Sequence, residues 1–195
     1  QKYQFTFNTW GFHNNDSIIN PLDPQVFGKT AYSMHFTRDD SIKSKILEMK
    51  KSNEIPKILE LGCGTGAGAY LIANEVFNKH YEMECEYIGI DMQAKGINIA
   101  KKLHKHPNIK FINKNITELN CSFDKFDFIL INETHIFEMP DYLTDEDTNI
   151  LDILASLLKP KGYFLWGNAI PDPIWDLVTD YLITKNIKLI HKYDY

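Results

Sequence analysis

At 195 residues and 44% hydrophobic, the chain is long enough to bury one substantial core, and no stretch reads as a linker to a second domain. Its net charge of −5 is spread over interspersed acids and bases, and with no basic face in view nucleic acid is a disfavoured partner. No apolar run approaches the roughly 18 residues of a membrane span.

The N-terminal 30 residues are aromatic and aperiodic, with Phe5, Phe7, Trp10 and Phe12 followed by Pro21, Pro24 and Gly28. They predict a loop-rich segment with at most one short helix. Apolar residues Ile42, Ile46, Leu47 and Met49 then mark a helical face over 40–50. After Pro56, residues 57–61 predict the first central strand. A helix over 67–78, a strand over 87–91, a helix over 94–104 and a short strand over 109–112 follow. Residues 126–132 are continuously apolar at their centre, as a strand buried on both faces requires. Thr144 can cap a helix over 144–158 whose first turn is acidic, with Asp145, Glu146 and Asp147 at its positive end. The turn 160–162 leads into a strand over 163–166, and Pro173 opens a helix through Asn186. A last strand is expected over 188–193. Strands separated by helices predict an α/β domain with a mostly parallel sheet.

The most informative segment is ILELGCGTG, residues 58–66. It reads as a buried strand ending in an acid, Glu60, and then a turn with glycine at positions 62, 64 and 66. Such a turn can lie against a ligand because no side chains intervene and glycine tolerates positive φ. A second acid, Asp91, ends the next apolar run, IGID. Strand, glycine turn, helix, strand, acid is an arrangement that holds a nucleoside-bearing cofactor. On these residues alone the nicotinamide fingerprint also fits, with Gly62, Gly64 and Ala67 as its small residues and Asp91 on the ribose. Glu60 weighs against that reading, since a carboxylate there suits an amino group or sulfonium and repels a pyrophosphate.

Taken in order, ILELGCGTG, IGIDM, FDFILINE and LLKPKGYFLWG resemble the sequence motifs of class I S-adenosylmethionine-dependent methyltransferases. The resemblance covers roughly residues 58–193. It implies a Rossmann-like, doubly wound, mostly parallel seven-stranded-type sheet with helices on both faces. Residues 57–195 would form the core that binds S-adenosyl-L-methionine, and 1–56 a lid segment of the same domain. By that likeness Gly62, Cys63 and Gly64 border the methionine part of the cofactor, and Glu60 orders the loop or reaches the amino group. Asp91 takes the ribose hydroxyls, Met92 packs on the adenine, Asn115 and Ile116 meet the adenine edge, and Asn132 lies beside the methionine end. The family more often has Asp where Asn115 stands. Met92 and Ile116 can equally be core residues, and Cys63 can simply fill the turn.

Just past the fourth strand, NETHIFE brings Glu133, His135 and Glu138 to the carboxyl end of the sheet, where a base would deprotonate a hydroxyl acceptor. The plainer alternative is that Glu133 bonds loop backbone and His135 faces solvent. No D/N-P-P-Y motif follows Asn132, which argues against amino methylation of nucleic acid. No catechol-type metal pair is evident, and Asp145 with Asp147 reads as helix-start charge. Trp166, Asn168 and Trp175 are candidates to line an acceptor pocket, and Tyr32 and His35 could reach the cofactor. The N-terminal aromatics either exclude water as a lid or only cover the sheet.

The expected activity is methyl transfer from S-adenosyl-L-methionine to a small-molecule acceptor at oxygen or nitrogen, with His135 or Glu133 taking the proton. Methylation of a protein or RNA, a nicotinamide-dependent oxidoreductase and a non-catalytic cofactor-binding subunit are the alternatives. Cys63, Cys85 and Cys121, odd in number and without metal-like spacing, read as reduced thiols of a cytoplasmic protein. No signal peptide is visible, although Gln1 in place of Met leaves room for upstream residues. The family commonly ends in a two-stranded hairpin. Here 188–193 supplies only its first strand, so the final strand is expected to be absent and the oligomeric state stays open.

Overall fold

Asp39 starts the first long helix among the described residues by turning its carboxylate onto the amides of Ser41 and Ile42, at 2.9 and 3.0 Å. The computed structural model describes residues 36–119, 123–132, 142–167 and 174–187. The 1–35 segment and the strand expected over 188–193 therefore lie outside the described residues. In chain order the elements are helix α1 (Asp40–Lys51), strand β1 (Lys57–Leu61), helix α2 (Ala67–Leu71) and a π-helical continuation of it (Ile72–His80). Next come β2 (Glu86–Asp91), α3 (Ala94–Leu103), β3 (Ile109–Asn113) and a 3₁₀ turn (Ile116–Glu118). The last described elements are β4 (Phe126–Asn132), α4 (Asp145–Leu157), β5 (Leu158–Gly167) and α5 (Trp175–Thr184).

All five strands pair in parallel, in the order β3-β2-β1-β4-β5. Alternation along β1 divides the core. Ile58 faces one apolar layer, with Ile42 and Ile46 of α1, Val76 and Phe77 of the π-helix, and Ile97 and Ala100 of α3. Leu59 and Leu61 face the other, with Leu151 and Leu154 of α4 and Val178 and Leu182 of α5. Helices thus cover both faces, as the α/β reading requires. Phe36 anchors the start of the described chain, its ring edge-on to Phe77 and Phe128 at 5.5 and 5.3 Å.

Two elements depart from the sequence reading. The helix expected over 67–78 is α-helical only to Leu71 and then widens, so that Tyr81 donates to the Val76 carbonyl five residues back. The last strand of the sheet starts earlier than 163. Leu158 leaves α4 and pairs at once with Phe126, residues 159–162 loop out, and pairing resumes with Tyr163 on Phe128. The expected turn is therefore a bulge inside β5, made possible by Lys161 at φ 61°.

Candidate functional site

Parallel pairing puts every strand's carboxyl end on one edge of the sheet. The order reverses between β1 and β4, the place where such sheets open a crevice for ligands. At that edge β1 ends in Gly62-Cys63-Gly64-Thr65-Gly66. All three glycines are left-handed, at φ 71°, 53° and 78°, so the main chain turns there without side chains standing over it. Gly62 and Cys63 both donate to the Ile90 carbonyl, at 2.8 and 3.1 Å, which ties the turn to the end of β2. Gly66 also meets a packing demand: a Cβ there would sit 2.5 Å from the Phe111 ring and 2.9 Å from Ala100.

Asp91 is the hub of the edge. One carboxylate oxygen accepts from the Gly64 amide at 2.9 Å and the other from the Gln93 amide at 2.8 Å. Its carbonyl accepts from the Asn113 side-chain amide at 2.9 Å and from the Lys114 amide at 3.1 Å. A single residue thereby couples the glycine turn, the start of α3 and the exit of β3. Both oxygens keep a further acceptor position, which a vicinal diol can use.

Glu60 lies one position before the strand's end and is 1% exposed. Its partner is the Tyr87 hydroxyl, which donates at 3.0 Å from β2. Tyr87 is set two residues back along the same face because β2 pairs in register, Ile58 against Tyr87 and Glu60 against Gly89. Burial drives the Glu60 carboxyl up to about 8; the Tyr87 hydrogen bond opposes the rise and the Asp91 charge adds to it. Burial also pushes the Cys63 thiol well up, helped by Glu60 and Asp91, so this thiol stays protonated. Among the described residues no lysine, arginine or histidine forms an ion pair with Glu60. The glycine turn therefore lies between two acids, Glu60 and Asp91, and Glu60 has no ion-paired cation among the described residues.

The structure brings Glu60, Gly62, Cys63, Gly64, Asp91 and Met92 together at the ends of β1 and β2. Met92 is 70% exposed, beside Asp91. Asn115 and Ile116 follow β3. The Asn115 side chain accepts from the Thr117 amide at 3.1 Å, while Glu118 reaches back to the Asn115 amide, so Asn115 caps the 3₁₀ turn. Ile116 is half-buried against the second apolar layer. Asn132 ends β4 at the same edge of the sheet. The candidate bases Glu133, His135 and Glu138, with Asn168, Tyr32, His35 and the aromatics of 1–30, lie outside the described residues. Sequence reasoning missed Tyr87 and Asn113. A tyrosine opening an otherwise apolar strand beside a buried glutamate was the available signal for the first.

Comparison with known proteins adds a family to this geometry. A family model described as a methyltransferase domain matches residues 52–181. The fatty-acid O-methyltransferase of Mycolicibacterium smegmatis is 28% identical over 124 residues, 62% of this chain and 40% of that protein. The malonyl-[acyl-carrier protein] O-methyltransferase of Halalkalibacterium halodurans is 27% identical over 124 residues, 62% of this chain and 41% of that protein. The chain thus spans about two fifths of the length of these curated relatives. Among solved structures, the ribosomal protein L11 methylase of Lactobacillus delbrueckii superposes with a TM-score of 0.51 at 14% identity, covering 78% of this chain and 72% of that one, a likeness of fold alone. With the match running from just after α1 into α5, the chain belongs to the methyltransferase-domain family.

Proposed function

We propose that this protein moves the methyl group of S-adenosyl-L-methionine to a small-molecule acceptor, at oxygen or nitrogen. The observation that carries the reading is the bare glycine turn between two carboxylates, Glu60 and Asp91, with no cation ion-paired to Glu60 among the described residues. A sulfonium nucleoside fits that edge on three counts. Its positive charge meets the acids, its ribose diol meets the open acceptor positions of Asp91, and its amino-acid end meets unhindered main chain. A pyrophosphate would meet the same acids with repulsion, which disfavours the nicotinamide reading. Relatives named for fatty-acid and malonyl-[acyl-carrier protein] O-methylation favour oxygen as the acceptor atom.

In this reading Gly62, Cys63 and Gly64 border the methionine portion, Asp91 holds the ribose, Met92 packs on the adenine, Asn115 and Ile116 meet its edge and Asn132 flanks the methionine end. When bound, the donor supplies an electrophilic methyl group. The chain's own part is to orient it and exclude water. His135 or Glu133, following β4 at the carboxyl edge, would take the acceptor's proton. The lid expected over 1–56 would stop short of α1, because that helix packs into the first apolar layer through Ile42 and Ile46 and so joins the core over 57–195. A cytoplasmic location suits Cys63 and Cys85, which are both buried free thiols, and nucleic acid remains a disfavoured partner.

Calorimetry with S-adenosylmethionine and with NAD separates the two cofactors. S-adenosylmethionine is expected to bind, and Asp91→Ala to weaken it by about tenfold or more, the worth of one charge-assisted hydrogen-bonded contact. Parent-like affinity in that variant, or preferential binding of NAD, would defeat the reading. For His135→Ala the expected result is a loss of turnover at pH 7 with cofactor affinity kept; unchanged turnover across pH would remove it as the base.

A further inference from the structure

A glutamate 1% exposed, hydrogen-bonded by a neutral hydroxyl and close enough to a second carboxylate to feel its charge, is an expensive thing to bury as an anion. Proteins that keep such a carboxylate ionised give it a lysine or arginine. None pairs with Glu60 among the described residues. The titratable groups acting on it are Tyr87 and Asp91, and the Cys63 thiol that it raises in turn is neutral. Among the described residues the charged group acting on it, Asp91, is negative, and Tyr87 can donate to either form of the acid. At the same time Glu60 stands two residues from Gly62, at the edge where a ligand would arrive.

We propose that Glu60 is a charge-responsive group: in the free protein it is a neutral acid held by Tyr87, and it releases its proton to solvent when a cationic nucleoside donor binds beside it. The inference rests on the proposed sulfonium cofactor and adds to it a proton count and a means of telling donor from spent product. The donor brings a fixed positive charge at sulfur, which stabilises the Glu60 carboxylate in a site of low dielectric. The demethylated thioether keeps the amino group's charge but lacks the one at sulfur, so the carboxylate is less well compensated and recovers part of its proton. Binding of the donor is then favoured by alkaline pH more strongly than binding of the product. Tyr87 acts as a positioning residue: it fixes the carboxyl and eases ionisation by hydrogen-bonding the anion.

The test is calorimetry of S-adenosylmethionine and S-adenosylhomocysteine in buffers of contrasting ionisation enthalpy, which counts protons exchanged. At pH 7 the donor is expected to release close to one proton and the thioether clearly less, and by about pH 9.5 the release should vanish because Glu60 is already ionised. In Glu60→Gln, which keeps the shape and an acceptor for Tyr87, proton release should be abolished. Donor affinity measured near pH 9 should fall by about tenfold while thioether affinity changes far less. In Tyr87→Phe the alkaline rise in donor affinity should move to higher pH, which a purely structural role for the hydroxyl would not produce. Donor binding without proton exchange in the parent, or release that persists in Glu60→Gln, overturns the inference and leaves the cofactor assignment standing. Absence of donor binding at any pH overturns both.

Discussion

Gly66 shows how one missing methyl group shapes the edge of the sheet. Its φ of 78° and the 2.5 Å approach of the Phe111 ring leave no room for a side chain. Gly66→Ala is expected to cost about 2 kcal/mol, from left-handed strain plus overpacking, and urea unfolding would read it as a lower midpoint at unchanged slope. Parent stability would show that Phe111 yields easily. Asp91 and Glu60 were both legible as acids at strand ends, because an ionisable residue closing an apolar run is a visible break in pattern. Their partners were not. Tyr87 lies 27 positions from Glu60, and only the β1–β2 register brings the two side chains onto one face. Asn115 is a different case. Its capping pair is local in sequence, Asn115 and Glu118 standing three apart, so the spacing itself carried the signal of a helix start.

At the scale of elements, the strands and helices followed from apolar runs and apolar faces, with Thr144 correctly marking the start of α4. Thr144 donates its hydroxyl to the Asp147 carboxylate at 2.7 Å and accepts from the Asp147 amide at 3.1 Å. Thr144→Ala should cost about 1 kcal/mol of stability, measurable by chemical denaturation. The π-helical stretch was not legible, because Ile72, Ala73, Val76 and Phe77 present the same apolar face at either helical pitch. The early start of β5 was hidden by Pro160 and Gly162, which signal a turn whether or not a strand surrounds it. What holds that bulge is Asp127, 3% exposed, which accepts from the Lys57 amide at 3.0 Å and pairs with Lys159 at 2.7 Å and Lys45 at 3.6 Å. Asp127→Ala leaves both lysines able to turn toward solvent. The expected cost is therefore about 2 kcal/mol, below the full penalty of stranding a buried charge, with Asp127→Asn milder. A loss near zero in thermal unfolding would show that the bulge is held by pairing alone.

For the molecule as a whole, two buried groups give stability a pH dependence of opposite sense. Glu60 is raised by burial from an ordinary 4.5 to about 8. The folded state therefore holds a proton that the unfolded chain gives up, and this contribution is complete below about pH 4.5 and is lost as pH rises through 8. His104 is lowered from 6.5, chiefly by burial, with the Thr65 backbone opposing. It is packed beside Tyr70 and Phe111. Its contribution is present above pH 6.5 and is lost as pH falls below that value. Between about pH 4.5 and 6.5 the two slopes oppose each other, and above 6.5 only the Glu60 slope remains. The melting temperature of the parent should therefore fall between pH 6.5 and 8, and that fall should disappear in Glu60→Gln. A parent curve flat across this window would mean that Glu60 ionises as an ordinary carboxylate.

Strand β5 is stitched to β4 at Leu158 on Phe126 and again at Tyr163 on Phe128, and the residues between contribute nothing to the ladder. That slack sits at the amino end of a parallel strand, across the sheet from the edge that carries the glycine turn. A short peptide handle spliced between Lys161 and Gly162 would leave both stitches and the Lys159–Asp127 pair in place, so the protein could be tethered to a surface by its far side with its working edge facing outward.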